Sequence, residues 1–224
     1  MPFGIRVIND NGIIQIDDQQ PNFTLLSQGS VYINPRSGNN AGMASVGFPG
    51  QSTPAMIFIR PPLGYRVAGS NTPHTFESFK NSFQLFNFET SGATVEYAIF
   101  GNRAEQGDSG GYGLQIRNSG GQVVFSTNDV APRMVGAVEY SIASTGSTFY
   151  INASGGPGRL FFSLSGTGWR ATSNASPTAP WIAEVWCGRL LSESQVEYSI
   201  GAATTSPGAK SAFGVRMALA ARVY

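Results

Sequence analysis

"FGIRVINDNGIIQIDD", Phe3 to Asp18, and "YGLQIRNSGGQVVFST", Tyr112 to Thr127, follow one pattern at an offset of 109 residues (112 − 3). Gly4 falls on Gly113, Asn9 on Asn118 and Gly12 on Gly121. Ile5, Val7, Ile14 and Ile16 fall on Leu114, Ile116, Val123 and Phe125. Each copy is an alternating apolar run, a polar turn closed by glycine, and a second apolar run. Alternation with period two lines one face of a strand, and Asn, Asp, Ser and Gly supply the left-handed backbone positions of a tight turn. The pattern predicts a β-hairpin at the head of each half. Pro21 and Pro132 follow the two hairpins, where the missing N–H ends a strand or places it at an edge.

The ends of the halves echo each other too. "TVEYAIF", Thr94 to Phe100, sets Val95, Tyr97 and Ile99 against Glu96 and Ala98. "FGVRMALAARVY", Phe213 to Tyr224, sets Phe213, Val215, Met217 and Leu219 against Gly214, Arg216, Ala218 and Ala220. Both read as closing strands with one buried face. Between them lie strand candidates at Ala55–Arg60, Phe83–Phe88, Thr148–Ile151, Arg159–Leu164 and Trp181–Cys187, separated by Gly-, Ser- and Pro-rich connections. Leu190–Ile200, "LLSESQVEYSI", reads as readily as a short helix. The expectation is an all-β protein of antiparallel strands in two tandem β-sandwich-like domains. Copy one spans 1–103, copy two 112–224, and a Gly/Ser linker over 104–111 joins them.

Composition agrees and removes several functions. Of 224 residues only 12% are charged, about half the usual share, whereas 28 are glycine. Low charge with abundant turn formers suits β structure. The net charge of +1 is spread along the chain, so no nucleic-acid partner is expected. No apolar run is long enough for a membrane span, so no membrane insertion is expected, and "MPFGIRVIND" carries no secretory leader. One cysteine, Cys187, and one histidine, His74, build neither an internal disulfide nor a metal site. No metal and no cofactor is expected.

"GDSGG", Gly107 to Gly111, spells the nucleophile motif of trypsin-like proteases, yet the chemistry is missing. A serine needs a histidine base and an orienting carboxylate. His74 precedes Ser109 by only 35 residues (109 − 74), and the only aspartate between them is Asp108, inside the motif. The stretch reads as linker. A glycosidase would need facing carboxylates. Glu89, Glu96, Glu184, Glu193 and Glu197 are present, but Glu96 and Glu184 hold the polar positions of alternating strands. No catalytic residue is assigned, and no enzyme is expected.

The repeated hairpin resembles the opening hairpin of tail-tip and tail-fibre proteins of long-tailed bacteriophages. The likeness rests on "FGIRVINDNGIIQID" and "YGLQIRNSGGQVVFS", some thirty residues, with Ser126 in copy two where Asp17 stands in copy one. It implies a virion structural protein of the distal tail, made in the host cytoplasm. Its partners would be other phage tail proteins and further copies of itself, with a homotrimer favoured. A role in host attachment would add a host surface glycan as ligand. Sugar faces stack on exposed rings, and Trp169, Tyr65 and Trp181 are the candidate contacts, although each ring could instead cap a core. A carbohydrate-binding module or lectin-like adhesin remains the alternative, with a hydrolase behind it.

Overall fold

The computed structural model describes residues 6–8, 14–17, 23–37, 41–50, 55–70, 81–87, 89–102, 113–141, 148–164, 168–172, 181–206 and 215–223. For 6–8, 14–17, 70, 140–141, 168–172, 181–186, 200–206 and 215–217 the description covers the backbone alone. All secondary structure among these residues is β, and every strand pairing is antiparallel.

Each half begins with the expected hairpin. β1 (Arg6–Ile8) pairs β2 (Ile14–Asp17), and β9 (Gln115–Arg117) pairs β10 (Val123–Ser126). In the second copy the turn chemistry is visible. Asn118 Oδ1 accepts the N–H groups of Gly120 and Gln122, each at 3.0 Å, and Gly121 takes a φ of +80° that a side chain would resist. The buried face differs from the simple alternation. Val124 is as buried as Val123, and Leu114 is exposed.

After its hairpin the first half runs β3 (Phe23–Ile33), β4 (Gly42–Gly47), β5 (Met56–Arg60), β6 (Val67–Ser70), β7 (Ser82–Asn87) and β8 (Ala93–Asn102). The second runs β11 (Arg133–Ser141), β12 (Phe149–Asn152), β13 (Arg159–Ser163), β14 (Gly168–Thr172), β15 (Trp181–Ser192), β16 (Gln195–Ser206) and β17 (Val215–Val223). One sheet has the order β11-β17-β13-β5-β8-β3, and the other β12-β16-β15-β6-β7-β4 with β14 beside β15. Both orders read the same from either end once the halves are exchanged. β3, β8 and β5 answer to β11, β17 and β13, while β4, β7 and β6 answer to β12, β16 and β15. The repeat seen in the hairpins thus extends to the strand order of each half.

The registers place a local twofold relation between the halves. Phe58 pairs with Ala98 and Phe161 with Ala221, so Phe161 is the counterpart of Phe58, 103 residues on (161 − 58). The same offset takes Ile59 to Phe162, and those two residues pair with each other at the junction of β5 and β13. In the other sheet Val67 pairs with Gly188 at the junction of β6 and β15.

The two copies share both sheets and one main core. Three strands from each half sit side by side in the first sheet, and both halves likewise contribute to the second. The main core contains Ile59, Phe83 and Ile99 together with Phe162, Val196 and Tyr198. Small six-stranded sandwiches have exposed edges and little apolar volume, and joining edge to edge relieves both deficits. Residues 104–111, expected as the linker, and with them Ser109 and His74, lie outside the described residues.

The first sheet is buried on both faces. Ala98 and Ala220, expected on open faces of their strands, are fully buried. Ala220 joins the main core, whereas Ala98 joins a second cluster with Phe58, Phe100, Phe161, Ala221 and Val223. A rolled sheet accounts for this second core. The Leu25 N–H on β3 donates to Val130 O at 2.8 Å, and Val130 lies three residues before β11, at the opposite edge of the sheet. Six flat strands would put those edges about 24 Å apart. Three residues reach only about 11 Å. The sheet therefore curls until its outer strands nearly meet, enclosing the second cluster.

Leu190–Ile200, which could have been a helix, is the end of β15, a tight turn at Glu193–Ser194 and the start of β16. Leu190, Val196 and Tyr198 are buried, so pairing with partners far along the chain overrides local helix propensity.

Candidate ligand-binding face

The three residues expected to touch a ligand, Trp169, Trp181 and Tyr65, have backbone positions on or beside one strand, β15. Trp181 opens β15, and Trp169 is on β14, paired with Val185 of β15. Tyr65 sits two residues before Val67, which pairs with Gly188 of the same strand. Trp169 is thus on a strand and not in the polar loop its neighbours suggested; for both tryptophans only the backbone is described. Tyr65 is half-buried and donates its hydroxyl to Ser91 O at 2.6 Å. Burial, with the nearby Glu89 carboxylate and Tyr32 adding to it, pushes its phenol up to about 12. The Gly64 N–H donates to Leu190 O at 2.7 Å, which ties the segment carrying Tyr65 to β15.

The outward side of the second sheet carries a row of charges that the sequence reading did not single out. Leu190, Val196 and Tyr198 point into the core, so Arg189 and Glu197, paired across β15 and β16, point out. Arg189 Nη2 donates to Glu197 Oε2 at 2.9 Å, and the Ser199 hydroxyl donates to Oε1 at 2.9 Å. Burial works to raise the Glu197 pKa, but the hydrogen bonds from Arg189 and Ser199, with the charges of Arg189 and Arg66, outweigh it and hold the carboxyl below its usual range. Tyr150, paired with Glu197 from β12, is 48% exposed at the end of the row. The pairing of Val67 with Gly188 sets Arg66 beside Arg189. Pairing assembles this row, because Tyr150 and Arg66 are 39 and 123 residues from Arg189 in the chain (189 − 150; 189 − 66).

Two further carboxylates face arginines. Glu193 Oε1 is 2.5 Å from Arg60 Nη2, and that hydrogen bond lowers its pKa. Glu96 Oε1 is 2.5 Å from Arg159 Nη2. Glu193 and Glu197, held ionised by arginine, are poor proton donors at neutral pH, the role that a glycosidase acid must fill. Among the described residues no group of three or more His, Cys, Asp or Glu is placed to hold a metal ion.

The Glu96–Arg159 pair borders an open groove of roughly 510 Å³ on the rolled sheet, lined also by Gln28, Ser30, Tyr97, Phe161 and Val223. The described residues thus present a shallow groove over the second core and a charged face on the opposite sheet.

Compared with known proteins, the chain matches no family model, no curated sequence and no solved structure.

Proposed function

We propose that the chain is a structural protein of the distal tail of a bacteriophage virion, in the tail tip or a tail fibre, with a part in host-surface attachment. The observation that carries this reading is the duplicated architecture, a hairpin followed by a matched set of strands in each half, with free outer edges. β4, "GMASVG", and β12, "FYIN", end the second sheet without a single charged residue, and Met43 and Tyr150 on them are 48% exposed. Monomeric proteins guard such edges with lysines, bulges or prolines. Uncharged edges with exposed apolar groups suit a subunit that packs against other tail proteins and its own copies. A homotrimer is the assembly we favour, on the resemblance of the repeated hairpin to tail proteins alone.

Immunogold labelling of intact virions with an antibody to this chain is the test. Gold at the distal end of the tail is the expected result, and gold on the head or on no particle would remove the proposal. Light scattering on the purified chain should report an oligomer at tens of micromolar, and a stable monomer there would count against the assembly.

The second reading, a carbohydrate-binding module, is favoured by one observation: Trp169, Trp181 and Tyr65 all lie on or beside β15. Trp169→Ala should keep its melting temperature and lose binding on an array of host polysaccharides. A variant that instead unfolds, at a cost of ~3–5 kcal/mol, would place the ring in the core.

A further inference from the structure

Arg66 is the unexplained residue on the charged face. Among the described residues it has no hydrogen-bond or ion-pair partner, and its Nε is buried without an acceptor. Neighbouring Arg189 repeats the deficit in part. Its Nε lies 2.8 Å from Glu197 Oε1 but lacks hydrogen-bond geometry, so that contact is ionic only. Two guanidinium groups with unmet Nε donors thus stand side by side, Arg66 just ahead of β6 and Arg189 on β15, with Glu197 of β16 on the far side of Arg189. Glu197, and Glu89 acting from nearby, are the carboxylates that act on Arg189. Buried donors without acceptors are uncommon in folded proteins and cost stability, so each calls for a reason. A bound anion supplies one, because the guanidinium fork fits carboxylate and phosphate oxygens and carries its charge at any ordinary pH.

We infer that Arg66 and Arg189 form a subsite for an anionic oxygen group, a carboxylate or a phosphate, carried by a surface polymer of the host. This rests on the attachment reading above and names the ligand class for it. Arg66 receives the anion on the guanidinium edge that carries Nε, while Glu197, itself held by Ser199, keeps Arg189 in place beside it. Tyr150, exposed at the far end of the row, offers a ring to the adjoining sugar.

The purified full-length chain is titrated calorimetrically with three probes: polygalacturonate, a glycerol-phosphate polymer and neutral dextran. Binding of at least one polyanion, weakened by salt, is expected, and which of the two binds tells carboxylate from phosphate. Arg66→Gln should weaken that binding about tenfold or more while the melting temperature of the free protein stays unchanged. Arg66→Lys should recover part of it, since the charge remains and the fork is lost. Equal binding of the polyanion by wild type and Arg66→Gln overturns the inference, as does binding of neither polyanion. A tail-labelled virion whose chain ignores both polyanions removes the subsite and keeps the tail. A polyanion bound through Arg66 by a chain that labels no virion does the reverse.

Discussion

Ile59 and Phe162, 103 residues apart (162 − 59), are counterparts in the two halves of the chain and are paired with each other at the centre of one sheet. Both are fully buried. The junction between the copies is therefore part of the core, and cooperative unfolding follows. Calorimetry should show one transition whose van't Hoff and calorimetric enthalpies agree, as all-or-none unfolding requires. Two resolved transitions would mean that the halves hold together only weakly.

Cleavage between Asn102 and Gly111 should not release the halves. Exposed Gly- and Ser-rich segments are where proteases enter, and "GNRAEQGDSGG" has that composition. The strands on either side are paired through β5 with β13 and β6 with β15. Size-exclusion chromatography of the nicked protein should give one peak containing both fragments, and separate peaks would contradict the shared sheets.

Phe162→Ala should cost about 3–5 kcal/mol, measured by denaturant unfolding. Its ring meets Tyr198 edge-on at 5.7 Å and lies over Gly188, where an added Cβ would strike it. Gly188→Ala should accordingly cost about 1–3 kcal/mol by overpacking the same spot. An unchanged denaturation midpoint for either variant would show that the junction is loose.

Stability should fall in acid through Glu193 and Glu197. Both have pKa values lowered in the folded state, so their contribution is complete above the ordinary carboxylate value of about 4.3 and is lost as pH drops through the lowered values. Glu197→Gln should cost roughly 1–3 kcal/mol at neutral pH, because Arg189 and Ser199 lose a charged acceptor. Its acid limb should also be shallower than that of the wild type, and matching limbs would exclude Glu197 as a contributor.

Tyr65 predicts an alkaline counterpart. A phenol raised to about 12 in the fold and titrating near 10 when unfolded contributes stability that is present below pH 10 and is lost as pH rises towards 12. Tyr65→Phe should flatten that loss, and it should remove a late-titrating component from the tyrosinate absorbance curve. A curve identical to that of the wild type would remove Tyr65 from this role.

Local signals were enough for the elements. Period-two alternation and turn residues place the hairpin at Gln115–Ser126, the strands near 56–60, 82–87, 149–152 and 159–163, and the two closing strands, all in their observed positions. They depend on neighbours in sequence, through pleat geometry and the conformational freedom of Gly and Asn. β3, β4, β6, β11, β14 and β16 escaped notice because their runs mix Gly, Ser, Gln, Thr or Arg with apolar residues. Pairing holds them extended, and for β3 and β11 the partner strand lies far along the chain.

Sequence by itself thus determined the class of structure, the duplication and the extent of most strands. Tertiary structure alone decided that the copies merge edge to edge, that one sheet rolls over a second core, and that Arg66, Arg189, Glu197 and Tyr150 share a row. Edges, curvature and register depend on pairings between residues about a hundred positions apart, as Ile59 with Phe162 and Leu25 with Val130 show. Periodicity fixes which side of a strand faces inward; only the partner strand fixes what stands beside each residue.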